Sequence, residues 1–353
     1  MATILLILLL IAVLLVTVLV HEWGHFVAAK KSGMIVEEFG FGIPPKLWSY
    51  KKGETEYSVN ALPIGGFVKI AGENGIDESL PASKQFDTKP WYLKAVVLVA
   101  GVVCNILLAF VLFTVAHLIG MPAQVEGGTP TVIYVGSKTP ASEAGIQVGD
   151  VIKSIVADGN KVQVLSTESL RNTVMESTSP IAITYVRAGE EKTVSVMPAQ
   201  KGTSRMLGIA VESIGTQKDS LLPAMKHSVQ EIGNLISRIW SVLVALVGSL
   251  FSHNAAPDDL SGPVGLAKQV GSAASFGFAY LLAFTAAISV NLAVLNIMPF
   301  PALDGGRLLV VFLEAITRRR FSQKVVAYIH AAGFLILIIL MIVLTISDIR
   351  GLS

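Results

Sequence analysis

The sequence predicts a polytopic α-helical membrane protein with about four transmembrane helices and one inserted extramembrane module. Only 15% of its 353 residues are charged and 52% are hydrophobic, whereas an ordinary soluble domain is roughly 25% charged. Four apolar runs are long enough to cross a bilayer core, which takes about 20 helical residues. Between the second and third runs the chain becomes polar and rich in turn-forming residues. Together these observations exclude a purely cytosolic globular enzyme and a disordered protein.

The charge balance and the cysteine content narrow the possible functions further. With 27 basic and 25 acidic residues the net charge is +2, so no long-range field of one sign exists and nucleic acid is not an expected partner. The lipid bilayer is the expected surrounding. The single cysteine, Cys104, excludes an intrachain disulfide framework and a cysteine-cluster metal site.

The first apolar run, residues 4–20, continues past a polar cluster to Lys30 and Lys31. It lacks the leading basic residue and the cleavage site of a signal peptide, so we interpret it as a transmembrane helix. Three further spans are predicted at about residues 95–120, 275–298 and 325–346. Lysine and arginine cluster in the loops after the first and third spans, which predicts that these loops are cytoplasmic and that both termini and the polar insert are extracytoplasmic.

One shorter apolar stretch, residues 239–251, is predicted to lie at the membrane surface. Its 13 residues extend about 20 Å as a helix, against a bilayer core of about 30 Å. The turns before it are amphipathic, which is typical of an interfacial helix. The predicted domains are a membrane core at 1–120, an extracytoplasmic module at 121–215, an interfacial segment at 216–262 and a second membrane core at 263–353.

The insert is predicted to be a small α+β module. Strand patterns at residues 131–135 and 151–155 precede a helical pattern at 167–175 and a β-hairpin at 181–197. Residues 140–152, PASEAGIQVGDVI, resemble the loop-to-strand signature of PDZ domains of the bacterial protease type. PDZ modules bind an extended peptide at a sheet edge. The alternative is a spacer that only restricts access sterically.

The motif that indicates chemistry lies inside the first predicted transmembrane helix and reads His21-Glu22-Trp23-Gly24-His25. Positions i and i+4 share a helix face, so His21 and His25 can bind one metal ion with Glu22 beside it as a proton acceptor. Ionisable residues within a transmembrane segment usually mark a functional site. A structural polar cluster that pairs with other helices is the alternative.

Catalytic zinc usually has three protein ligands, so a third must come from elsewhere in the chain. Asp304 is the best candidate, because it lies just beyond the third span within residues 296–306, NIMPFPALDGG. The prolines prevent a regular helix there, and Gly305-Gly306 is expected to form a tight turn that brings Asp304 back toward the histidines. Without such a contact Asp304 would be a simple turn former.

These motifs resemble those of the site-2 protease family of intramembrane zinc metalloproteases, particularly its bacterial RseP/RasP-type branch. The resemblance covers nearly the whole chain and also includes GFG, LPIGGFVKIAGE, AGVVCN and SGPVGLAK at residues 40–42, 62–73, 100–105 and 261–268. Two departures stand out. Val102 replaces a proline often found in the family, and only one PDZ-like module fits the insert, whereas the sigma-E-linked proteases carry two.

The resemblance implies specific roles for residues of this chain. Residues 56–70 would form a cytoplasmic-side, membrane-associated β-loop that pairs with an unwound substrate. The implied substrates are single-span membrane proteins, such as anti-sigma factors or signal-peptide remnants, after an earlier extracytoplasmic cleavage at the bacterial cytoplasmic (inner) membrane. The implied zinc ligands are His21, His25 and Asp304, the implied general base is Glu22, and the implied substrate-binding residues are Asn296, Pro299, Gly65 and Gly66.

A different class of function remains an alternative at this point. A non-catalytic membrane adaptor could bind peptides through its PDZ module and retain zinc only for structure. Such a protein would have no need of Glu22. A metal transporter is less favoured, because the sequence offers one ligand set and no second site along a path.

Overall fold

A computed structural model describes residues 2–73, 75–136, 139–163, 167–177, 179–187, 189–201, 204–252 and 262–350. The chain divides into two compact units. The first unit contains residues 1–114, 225–270 and 282–353. The second contains residues 115–224 and 271–281.

The N-terminal part of the first unit consists of two long helices with a β-sheet between them in the chain. The first helix ends where Gly33 adopts a φ of 66°. There the Gly33 amide donates to Lys30 O at 3.1 Å and the Met34 amide donates to Ala29 O at 3.0 Å, the pattern of a Schellman C-cap. The elements are α1 (Ala2–Lys31), β1 (Val36–Lys52), β2 (Thr55–Ile70) and α2 (Trp91–Ile119).

Both strands of this sheet are long and bend, so the pairing produces four adjacent segments. The register gives the order 46–52, 55–60, 36–41 and 66–70, in which neighbouring segments are antiparallel except that 36–41 and 55–60 run in the same direction. In this part of the chain the sequence predicts strands only at 56–70. The glycines and prolines of β1 interrupt the alternation of apolar and polar residues that marks a strand. The last segment is therefore paired on one side, with 36–41, in the part of the chain that the structure describes.

The second unit contains an antiparallel sheet with the order β10-β3-β4-β6-β7, and β5 pairs with β4. Its core includes Ile152, Ile155, Ile181 and Ile183, which are at most 1% exposed; each contributes about 1.5–3 kcal/mol by burial. The elements are β3 (Met121–Val135), α3 (Pro140–Glu143), β4 (Val151–Ala157), β5 (Asn160–Gln163), α4 (Thr167–Glu176), β6 (Ile181–Arg187), β7 (Glu190–Val196), β8 (Ala199–Lys201), β9 (Ser204–Met206) and β10 (Ile209–Gln217).

The first strand of this sheet begins ten residues before its predicted start at residue 131. Residues 122–130 contain the prolines and glycines that favour a loop, yet β3 pairs with β10 on both sides of an irregularity. Ser213 pairs with Pro130 and Ile214 with Gln124, so residues 125–129 form a large bulge within the strand. The turn-forming composition therefore marks a bulge here and not the absence of a strand.

Five helices complete the described chain. The amphipathic stretch predicted at the membrane surface is part of one continuous 32-residue helix, and residues 253–261 of the predicted interfacial segment lie outside the described residues. The helices are α5 (Leu221–Ser252), α6 (Pro263–Ser275), α7 (Phe278–Ile297), α8 (Asp304–Thr317) and α9 (Gln323–Arg350).

Four of the described helices are long and apolar enough to cross a membrane, and α5 is not among them. They coincide with the four predicted apolar runs. Only 6% of the most apolar window of α9 is buried, so most of its apolar side chains face outward, as expected for a helix in contact with lipid. The four helices are Ile4–Lys31, Trp91–Ile119, Phe278–Ile297 and Gln323–Ile349.

Candidate metal centre

Three side chains from α1 and α8 converge on one point in the first unit. His21 Nε2 lies 3.1 Å from His25 Nε2, and Asp304 Oδ2 lies 3.0 Å from the first and 3.2 Å from the second. Four ligands about 2.0–2.1 Å from a tetrahedral zinc ion are themselves separated by about 3.3 Å. The donor set and its spacing therefore fit a zinc ion with these three residues as ligands.

The orientation of His25 also suits a metal ligand. Its Nδ1 lies 2.8 Å from Val97 O on α2. Because a carbonyl oxygen only accepts, Nδ1 carries the proton and the lone pair is on Nε2, which faces His21 and Asp304. A ligating histidine usually donates its other ring N–H in this way.

Two glycines allow α2 to approach the histidines closely. A Cβ atom on Gly101 would lie 2.7 Å from His21 Cε1 and closer still to His25 Nε2. A Cβ atom on Gly24 would lie 2.5 Å from Ala100 O. Small residues permit this kind of close packing between membrane helices. Sequence reasoning missed this role of Gly101, since only the fold shows what lies opposite it.

The segment before Asp304 differs from the predicted turn. Asp304 is the first residue of α8, so Gly305 and Gly306 lie within the first helical turn. They are glycines because α8 begins against the end of α7: a Cβ on Gly305 would overlap the carbonyl groups of Ile297 and Met298. As the first residue of the helix, the Asp304 carboxylate is favoured by the helix dipole.

Glu22 lies on the wall of a cavity of about 430 Å³ that also includes His25, Asp304 and strand segment 66–70. A Cβ atom on Gly66 would lie 3.2 Å from Glu22 Cγ, so the carboxylate side chain lies beside the strand. Strand segment 66–70 therefore shares one cavity with Glu22 and with two of the three candidate ligands, His25 and Asp304.

Of the four predicted substrate-binding residues, two lie at the metal centre or its cavity and two do not. The side-chain amide nitrogen of Asn296, at the end of α7, lies 3.2 Å from His21 Nε2. Gly66 is part of the cavity wall, but among the described residues Gly65 and Pro299 are not. Gly65 adopts a φ of 83°, which requires glycine and shapes the strand beside the cavity.

An ion pair that the sequence analysis missed also lines this cavity. Arg307, one turn beyond Asp304 on α8, pairs with Glu73, which follows β2. Burial raises the pKa of Glu73, and the Arg307 charge opposes that effect. The spacing of three residues from Asp304 was the available signal, because it places Arg307 on the same helix face.

Comparisons with known proteins identify the family of the chain. The sequence profile of peptidase family M50 matches residues 9–340. A candidate zinc metalloprotease of Clostridium perfringens is 36% identical over 333 residues, which cover 94% of this chain and 95% of that protein. A candidate zinc metalloprotease of Clostridium acetobutylicum is 34% identical over 335 residues, with coverages of 95% and 94%.

A further relative is the zinc metalloprotease RasP of Shouchella clausii, 29% identical over an alignment of 429 residues that covers 97% of this chain and 98% of that protein. The family match extends over most of the chain, and both clostridial relatives exceed 30% identity. Four helices can span a membrane. The chain therefore belongs to peptidase family M50, the site-2 proteases, and is a multi-pass membrane zinc metalloprotease.

Proposed function

We propose that this protease hydrolyses peptide bonds within, or at the edge of, the membrane-spanning segments of other membrane proteins. The observation behind this proposal is that two members of the cluster, His21 and His25, lie on α1 inside a candidate membrane span, where Asp304 of α8 meets them. His21 lies about 13 Å along that helix from Lys30, which is predicted to mark the cytoplasmic surface. A substrate must therefore reach the site within the bilayer.

In this proposal His21, His25 and Asp304 hold the zinc ion. When bound, zinc supplies Lewis acidity that polarises a carbonyl group and acidifies water. Glu22 accepts a proton from the attacking water and then donates it to the nitrogen of the leaving amine. Asn296 is close enough to this centre to hydrogen-bond the substrate backbone beside the scissile bond.

The outer edge of strand segment 66–70 supports a mode of substrate binding. A helix within the bilayer keeps its carbonyl groups in internal hydrogen bonds, so it must unwind before cleavage. An extended substrate that adds to this edge would keep its backbone hydrogen bonds and would pass Glu22, which lies next to Gly66. Gly65 and Pro299 would then act indirectly, through the shapes of the strand and of the α7–α8 connection.

The insert is proposed to be an extracytoplasmic PDZ module. In support, the second unit has a groove of about 500 Å³ lined by α4, by the edge strand β10 and by the residues just before β10, including Leu170, Val174, Leu207, Gly208 and Ile209. An edge strand beside a helix suits an extended peptide. Regulated proteolysis would follow if the module admits single-span substrates only after an earlier extracytoplasmic cleavage at the bacterial cytoplasmic (inner) membrane.

The proposal is tested with purified full-length protein and single-span substrates in detergent or liposomes. Two substrates of equal length should differ only in the span, which is leucine-rich in one and contains helix-breaking glycine and proline in the other. We expect cleavage inside the span, located by mass spectrometry, and faster cleavage of the second substrate because it unwinds more easily. Cleavage confined to the soluble flanks of both substrates would contradict the proposal.

A further inference from the structure

The connection between α7 and α8 contains a residue in a costly conformation. Ala302 has a φ of 80°, and this left-handed region is unfavourable for a residue other than glycine. A residue stays in this left-handed conformation only where the surrounding structure holds it there. Ala302 lines the cavity of the metal centre and precedes Asp304 by two residues, so its position determines where the carboxylate begins.

Helix α9 holds this connection at two points. The Ala302 amide donates a hydrogen bond of 2.9 Å to His330 Nδ1. On the same face of α9, three residues later, a Cβ on Gly333 would lie 2.5 Å from Pro301 Cβ and 2.6 Å from Pro301 O. The glycine therefore lets the helix backbone contact Pro301, while the histidine binds the next residue.

The tautomer of His330 follows from the backbone amide that donates a hydrogen bond to it. Because the Ala302 amide can only donate, Nδ1 of His330 must be the unprotonated nitrogen and the ring proton is on Nε2. Most of the apolar surface of α9 faces outward. An ionisable side chain such as histidine is energetically unfavourable in a membrane-spanning helix and usually has a function there. The hydrogen bond from the Ala302 amide to His330 gives this histidine a structural function in the connection.

We propose that His330 is a positioning residue that acts through the Ala302 amide to hold Asp304 in place for the metal ion. The inference rests on the proposed role of Asp304 as a zinc ligand. His330 does not touch the metal or the substrate; it fixes the backbone from which the ligand extends. Outer partners of this kind typically alter metal affinity by about 10- to 100-fold when they are removed.

The test compares zinc affinity, measured by competition with a chelator, in the purified full-length protein and in His330→Leu and His330→Asn. Leucine and asparagine have similar shapes, but only asparagine places an acceptor where Nδ1 lies. We expect His330→Leu to lose about 10- to 100-fold in affinity and His330→Asn to stay near the unchanged protein. Tyr328→Leu, at a side chain 77% exposed on the same helix, is the matched control and should have no effect.

A further variant, Asp304→Ala, separates the two ideas. If it retains zinc as the unchanged protein does, the ligand assignment fails. If it loses zinc while His330→Leu keeps full affinity, only the positioning role is overturned. Should His330→Leu not fold, His330→Gln takes its place, because its amide lies one bond farther out; equal affinities of the Asn and Gln variants would then overturn the inference.

Discussion

At the scale of single residues, the metal centre depends on a glycine opposite the candidate ligands as well as on the ligands themselves. His21 and His25 face Asp304 because helical spacing and a buried carbonyl orient them. They have room to do so because Gly101 on α2 carries no side chain. An added methyl group there would overlap both imidazole rings.

Replacing Gly101 with alanine should therefore weaken zinc binding. Overpacking of a tight site costs about 1–3 kcal/mol, which corresponds to a loss of roughly 5- to 150-fold in affinity. Gly233→Ala is the control, because it also lies in a helix but has no neighbouring atom within 4 Å of the added carbon. Chelator competition on both purified variants checks the prediction, and equal affinities would contradict it.

Part of this site can be predicted from the sequence, and the rest becomes visible only in the structure. The spacing of four between the histidines requires only a helix, and Asp304 follows from the need for a third ligand. The spacing from Asp304 could have indicated Arg307, but the roles of Gly101 and Glu73 could not be predicted, because they depend on contacts between segments far apart in the chain. The tight turn expected at Gly305-Gly306 was wrong, since these glycines serve the packing of α8 against α7.

At the scale of elements, the membrane helices are easier to predict than the strands. A run of apolar residues determines a span by its length alone, whereas a strand is recognised by alternation that glycine and proline interrupt. Strand β1 and the first half of β3 were missed for this reason. Within the second unit, side-chain contacts then stabilise the strands: Arg187 of β6 donates two hydrogen bonds of 2.7 Å to Asp150, the residue immediately before β4.

Removing Arg187 should destabilise the second unit. Asp150 is only 1% exposed, so Arg187→Met leaves a buried carboxylate without its charged partner, at a cost of about 3–5 kcal/mol. Hydrogen exchange of the full-length protein should show faster exchange in β4 and β6. Lys192→Met is the control, because its ion pair with Glu190 is exposed and contributes about 0–1 kcal/mol. Similar exchange in the two variants would disprove the role assigned to Arg187.

At the scale of the whole molecule, the distribution of basic residues predicts that the first sheet and the second unit are on opposite sides of the membrane. Cysteine labelling in bacterial cells measures this, since the single Cys104 can be replaced by alanine. We expect Glu191→Cys to react with a membrane-impermeant maleimide in intact cells. Glu78→Cys should react only after permeabilisation. Labelling of both positions in intact cells would contradict the proposed orientation.

The catalytic role of Glu22 is tested by cleavage of a single-span substrate by the unchanged protein and by Glu22→Gln, with the zinc content of each determined. Glutamine keeps the size of the side chain but cannot accept the proton from water. We predict about one zinc ion in each protein, cleavage within the span by the unchanged protein, and a loss of at least about 100-fold in the variant. Equal cleavage by both proteins, with zinc bound, would contradict the role of Glu22 as the base.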